Sequence, residues 1–231
     1  MTTLRAVIFD LDDTLYPERD YVLSGFRAVA QWAQRELGVC YDEGYARFER
    51  LYGEGVRGTT FNQWLSETGL PEHPWVAEMV RVYRCHEPDI QPFQGVRALL
   101  ERLERRYDLG LISDGYLRVQ QKKWRALGLE AHFAVVVFSD EGGRECWKPS
   151  TWPYRQALQR LGCPPDEAVY VGDNLLKDFA GANQLGMGTI YLLRPEGEYA
   201  DRQAANAEST PLATVASFAA LESLLERWPP R

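Results

Sequence analysis

The chain has 231 residues, 33 acidic against 26 basic, for a formal charge of -7; this length accommodates one large domain, or a core with a smaller attachment, around a sizeable buried interior. The acidic balance and the absence of any Lys/Arg run argue against nucleic-acid binding, and no apolar run approaches the roughly 20 residues of a membrane span. Cys40, Cys85, Cys146 and Cys163 form no C-x-x-C pair or Cys/His cluster, so neither a zinc site nor a disulfide framework is indicated. The N-terminus enters a strand pattern without the basic and apolar regions of a signal peptide, which makes the cytoplasm the expected location.

The first predicted element is the strand AVIFD at 6–10, which runs directly into carboxylates at Asp10, Asp12 and Asp13. Residues 16–90 then show no clear strand. FRAVAQWAQREL at 26–37 and YARFERLYGEG at 45–55 have the spacing of amphipathic helices. The interval reads as a helical insertion with eight arginines and no lysine, closed by the prolines of EPDIQPFQG at 87–95. Beyond it, the apolar runs LGLISD at 109–114, FAVVVFS at 133–139, AVYVGD at 168–173 and GTIYLL at 188–193 read as buried strands. Helical periods at 94–106, 116–127, 150–161 and 176–185 separate them. This alternation predicts an α/β fold, a parallel sheet covered on both faces by right-handed crossovers. Residues 194–210 are polar and read as a surface loop before a last helix near 216–227.

Ligands of such sheets sit outside the carboxyl ends of the strands, and polar residues collect there. Asp10 ends the first strand, Ser113 and Asp114 the second, and Asp173 the run AVYVGD, while Lys148 lies in the loop WKPS. Clustered carboxylates repel one another, and burying each charge is costly without a partner. A divalent cation resolves that conflict, and ligation by oxygen alone suits Mg²⁺. Lys148 and the Ser113 hydroxyl offer what a phosphoryl group needs, a positive charge and a hydrogen-bond donor.

The segment D-L-D-D-T at 10–14, Ser113 after an apolar strand, Lys148 before a helix and G-D-N-L-L-K-D at 172–178 resemble, in order, the four motifs of the haloacid dehalogenase superfamily. The resemblance spans essentially the whole chain. It implies a Rossmann-like core from 1–15 and 91–231, with 16–90 matching a helical cap. It also implies a Mg²⁺-dependent phosphatase acting on a small phosphorylated metabolite, as a monomer or homodimer. Asp10 would be the nucleophile, forming an aspartyl phosphate; Asp12 would protonate the leaving alcohol and later deprotonate water, its backbone carbonyl ligating the metal. Thr14 would orient the loop, Ser113 and Asp114 would lie at the substrate phosphoryl group, and Lys148 would neutralise charge on nucleophile and phosphate. Asp173 would ligate Mg²⁺ beside Asp10, and Asp178 would support Lys148 or the metal's waters.

Each residue also has a purely structural reading. Asp13 reads as a turn or capping residue; Ser113 and Asp114 suit the cap of the next helix; Lys177 and Asp178 suit an exposed pair at a helix start. Trp147 and Trp152 flank Lys148 as packing residues, Cys146 lies beside them in sequence, and His73, His86 and His132 fall outside every motif. Among relatives in chemistry, 2-haloacid dehalogenases lack an acid at the position of Asp12, and phosphonate hydrolases need a cap lysine that this chain does not have. A phosphomutase keeps all four motifs and is the enzymatic alternative. A non-catalytic phosphoacceptor module, like bacterial receiver domains, is the alternative from another class. Arg19 and Arg57 are the cap residues singled out for contact with a leaving group.

Overall fold

Short apolar segments build the sheet in the computed structural model, which describes residues 3–199 and 202–228. The extreme ends of the 1–15 and 91–231 segments, and residues 200 and 201 of the 194–210 loop, lie outside the described residues. Strands β1 (Ala6–Phe9), β2 (Asp108–Ser113), β3 (Val135–Phe138), β4 (Ala168–Gly172), β5 (Gly188–Leu192) and β6 (Ala213–Val215) pair in parallel in the order β3-β2-β1-β4-β5-β6. Every residue of β1, β4 and β5 is buried, as expected of parallel strands covered on both faces.

Between β1 and β2 lie α1 (Glu18–Leu37), α2 (Tyr41–Gly53), α3 (Thr60–Thr68) and α4 (Trp75–Cys85). The chain divides into two compact units, one reaching Glu18 and resuming at Gln91, the other Arg19–Ile90. The second unit has its own core. Phe26, Val29, Ala30 and Ala33 form the buried stripe of α1, with the 3-4-7 spacing of an amphipathic helix. Phe48 sits at the centre of that core, its ring centroid 5.4 Å from Phe26, 5.6 Å from Phe61 and 5.1 Å from Trp64.

The remaining helices are α5 (Val96–Leu103), α6 (Leu117–Leu127), α7 (Trp152–Leu161), α8 (Ala180–Gln184) and α9 (Phe218–Leu225). From β1 the sheet grows outward through β2 and β3, then returns to β4 on the opposite flank of β1 and continues to β5 and β6. The reversal makes the carboxyl ends of β1 and β4 a topological switch point, where such sheets hold ligands. Register brings those ends level, with Phe9 opposite Val171 and the Asp10 amide donating to the Val171 carbonyl at 2.8 Å.

The structure differs from the sequence expectations in four places. The three-residue edge strand β6 falls where a connection to the last helix was expected. Helix α8 covers five residues rather than 176–185, because Asn174–Phe179 turn on themselves, the Asn174 carbonyl accepting from Lys177 N and Asp178 N. The insertion carries α3 and α4 beyond the two helices read from its periodicity. Helix α1 begins at Glu18 rather than Phe26.

Candidate active site

Lys148 is the hub of the site. Its ammonium is fully buried and donates to Asp10 Oδ1 at 2.5 Å, Asp178 Oδ1 at 2.7 Å and the Tyr170 hydroxyl at 3.0 Å. A lone buried ammonium would lose its charge; here, against the cost of burial, Asp10 and Asp178 hold it well above the ordinary lysine value. Asp178 is fixed in turn. Its Oδ2 accepts from Asn174 N at 2.9 Å, its carbonyl accepts from the Tyr154 hydroxyl at 2.7 Å, and Gly172 makes room, since a Cβ there would lie 2.4 Å from Asp178 Oδ2. Asp178 is 0 % exposed, which overturns the reading of an exposed Lys177–Asp178 pair.

Carboxylate oxygens of Asp10, Asp173 and Asp178 lie within 4.8 Å of one another, all buried. Burial pushes the Asp10 carboxyl up to about 7, with Lys148 opposing the rise. Burial, with Asp178 and Asp10 beside it, pushes Asp173 well above the usual carboxylate range. The hydrogen bond to Asp173 comes from Thr14 Oγ1 at 3.2 Å. Asp12 is the reverse case. Burial alone would raise it, but the Lys123 ammonium, 2.7 Å from Oδ1, and the Tyr16 hydroxyl on the same oxygen hold it below the ordinary value.

A cleft of ≈ 260 Å³ opens over these groups, lined by Asp10, Asp12, Asp114 and Asp173 together with Glu18, Lys177 and Tyr199 among others. Thr14, Ser113, Lys148 and Asp178 stand behind that lining, each buried. The Ser113 hydroxyl donates to Gln120 Oε1 at 3.0 Å. Asp114 accepts from the Lys148 amide at 3.1 Å and from the Ser139 hydroxyl, and its Oδ2 lies 3.7 Å from Lys177 Nζ. Asp13 takes the structural role read for it: its two oxygens accept from Glu18 N at 2.8 Å and Glu198 N at 2.9 Å.

Several site residues had no motif to announce them. Lys123 and Gln120 are one helical turn apart on α6, and the only sequence signal was lysine scarcity, with four in the chain. Glu18 lines the cleft although it lies beyond D-L-D-D-T. Arg194, in the stretch read as a surface loop, donates to the carbonyls of Asp13 at 3.3 Å and Thr14 at 3.1 Å. Trp147, read as packing, also lines the cleft. Cys146 is half-buried. In the second unit, Arg19 is exposed and 4.0 Å from Glu49, whereas Arg57 stacks 3.7 Å from the Tyr52 ring and lines a separate pocket of ≈ 240 Å³ there.

The chain is similar to characterised proteins over nearly its full length. It is 34% identical over 223 residues to the glyceraldehyde 3-phosphate phosphatase of Methanopyrus kandleri, covering 90% of this chain and 91% of that one. It is 38% identical over 238 residues to the phosphoserine phosphatase of Thermus thermophilus, covering 84% and 91%. Its structure matches that of the 2-haloacid dehalogenase of Pseudomonas syringae pv. Tomato with a TM-score of 0.66 at 27% identity, over 98% of this chain and 100% of the other. Residues 7–192, which run from β1 through β5 and include every carboxylate and lysine of the site, match the haloacid dehalogenase-like hydrolase family, and the chain is a member of that family.

Proposed function

We propose that this hydrolase is a Mg²⁺-dependent phosphatase that cleaves a small phosphomonoester through phosphorylation of Asp10. The observation that carries this reading is the pairing of two aspartates with opposite environments in one cleft. Asp10 is engaged by Lys148 inside a buried carboxylate cluster. Asp12, two residues on, is held by Lys123 and Tyr16. A carboxylate nucleophile and a second carboxyl for proton transfer are what stepwise phosphoryl transfer to water requires.

The donor set fits Mg²⁺. Of the three buried carboxylates only Asp10 and Asp178 reach the Lys148 ammonium, all donors are oxygens, and Asp173, raised by burial and by Asp178 and Asp10 beside it, is left to be balanced by a cation. Asp10, Asp173 and the Asp12 carbonyl are assigned as its protein ligands, with Asp178 behind them. When bound, the ion supplies charge stabilisation to the transferring phosphoryl group. The chain's own groups do the rest. Asp10 attacks phosphorus, Asp12 gives its proton to the leaving oxygen, and Asp12 then takes a proton from the water that cleaves the aspartyl phosphate. Lys148 balances charge on Asp10, and Ser113 offers its hydroxyl to a phosphoryl oxygen by turning away from Gln120.

Asp12 favours phosphate ester chemistry over dehalogenation, for which no proton need reach a leaving alkoxide, and the relatives named for triose phosphate and phosphoserine hydrolysis agree. The inserted unit Arg19–Ile90 is read as the cap that selects the substrate. Purified protein should release phosphate from p-nitrophenyl phosphate and from a panel of sugar and amino-acid phosphates with Mg²⁺. Ca²⁺ should support little turnover, because its larger, looser coordination misplaces the nucleophile. Equal turnover with Mg²⁺, Ca²⁺ and chelator would sink the proposal.

A further inference from the structure

We infer that Lys123 is a positioning residue for Asp12: with Tyr16 it pins one carboxylate oxygen, so that the other is presented for both proton transfers of the phosphatase cycle. The inference rests on the reading of Asp12 as the acid and base of that cycle, and adds to it the group that aims the carboxyl.

The geometry is specific. Lys123 Nζ and the Tyr16 hydroxyl both donate to Oδ1 of Asp12, and among the described residues no hydrogen bond reaches Oδ2. Asp12 lines the cleft. Two donors on one oxygen remove rotation of the carboxylate about its last bond, leaving Oδ2 as the oxygen open to a substrate. The backbone is held independently. Asp13 ties the loop to the amides of Glu18 and Glu198, and Arg194 grips the carbonyls of Asp13 and Thr14. What is left to fix is the Asp12 side chain, and Lys123 and Tyr16 are the groups that fix it.

Lys123 is placed for this at a cost. Its side chain is 3% exposed, and lysine is almost never fully buried unless paired; a buried ion pair is weak as a source of stability compared with well-packed apolar side chains. The ammonium is carried on α6, one turn after Gln120, whose Oε1 accepts from Ser113. One helix face therefore sets side chains at the ends of both β1 and β2.

Protons balance over the cycle with Lys123 an ammonium throughout. Asp12 begins as the carboxylate, and Oδ2 takes a proton from the incoming phosphate monoanion. In the first step the Asp10 oxygen bonds to phosphorus, the bond from phosphorus to the leaving oxygen breaks, and that proton passes from Oδ2 to the leaving oxygen. In the second, water oxygen bonds to phosphorus, one water proton passes to Oδ2, and the Asp10–phosphorus bond breaks. Oδ2 returns its proton to the departing phosphate and ends as it began.

The test separates leaving groups. Single-turnover and steady-state rates are measured for an alkyl phosphate and for p-nitrophenyl phosphate, whose leaving group needs no proton, in the parent, Lys123→Met, Lys123→Arg, Tyr16→Phe and Asp12→Ala proteins. For Lys123→Met, kcat on the alkyl phosphate should fall about 10- to 100-fold, less than the full loss of an acid–base group. The first-turnover burst of p-nitrophenolate should change little, and KM should hold for both substrates. Lys123→Arg should recover part of the loss. If Lys123→Met fails to fold, Lys123→Arg and Tyr16→Phe should show the same split at smaller size. Equal first-turnover losses on both substrates, an effect confined to KM, or no effect in any folded variant overturns the inference. Asp12→Ala distinguishes the levels: if it shows the split and the Lys123 and Tyr16 variants do not, only the positioning role fails, and if it shows none, the assignment of Asp12 fails.

Discussion

Asp13 adopts φ = 51°, a left-handed conformation that Asp and Asn tolerate better than other side chains. Its carboxylate bridges two amides 180 residues apart in the chain, those of Glu18 and Glu198. Asp13→Ala should therefore destabilise the protein by about 2–4 kcal/mol, from two stranded amides and the strained backbone, with Asp13→Asn costing less; urea unfolding measures both. Glu18 makes a pH-dependent case. Burial, with Asp12 adding to it, pushes its carboxyl up to about 7 from 4.5. Folding thus favours the protonated form, a contribution fully present below the unfolded value and lost as pH rises through about 7. In chelator, Glu18→Gln should match the parent near pH 4 and exceed it by about 1–3 kcal/mol at pH 8.5; a constant difference across that range contradicts the assignment.

At the scale of elements, the loop after β5 does more than its polar composition suggested. Arg194 lies between the rings of Phe93 and Phe218, at 4.2 and 4.3 Å, and reaches the Asp13 and Thr14 carbonyls in the loop after β1. Arg194→Leu keeps the apolar stem and removes both donors, so it should lower kcat by about tenfold or more through a loosened loop, with p-nitrophenyl phosphate and alkyl phosphates affected alike. Strands β1 to β5 were legible as apolar runs, and β1, β2 and β4 run into the polar residues Asp10, Ser113 and Asp173 of the site. Arg194 and Lys123 were not, for a physical reason: Arg194 binds backbone carbonyls, which leave no side-chain signature, and the Lys123–Asp12 pair joins residues 111 positions apart. The edge strand β6 was hidden by its three-residue length, and α8 by a turn of Asn174–Asp178 that follows helical spacing in sequence without continuing as helix.

Across the whole molecule, sheet order explains why carboxylates cluster. The switch between β1 and β4 places residues 10 and 173 side by side at adjacent strand ends, and the charges gathered there are met by the Lys148 ammonium on Asp10 and Asp178. The second unit stands on its own aromatic core, and Phe48 is 0 % exposed within it. Phe48→Ala should cost about 3–5 kcal/mol, read by urea unfolding of that unit through tryptophan fluorescence. The helical character of this insertion was visible in its spacing, whereas a role for its arginines was not, because they carry no motif and Arg57 already holds Tyr52 and Val56 carbonyls at 2.7 and 3.1 Å.

The most direct test of the account follows the phosphoryl group itself. Asp12→Ala protein is mixed with p-nitrophenyl phosphate and Mg²⁺, quenched in acid within the first turnovers, and weighed intact, with Asp10→Asn in parallel. Phosphorylation needs no proton for this leaving group while water attack is left unassisted, so Asp12→Ala should carry one phosphoryl group on Asp10 and Asp10→Asn none. A phosphoryl group mapped to another residue, or Asp12→Ala turning over as fast as the parent without accumulating it, would contradict the assignment of the two aspartates.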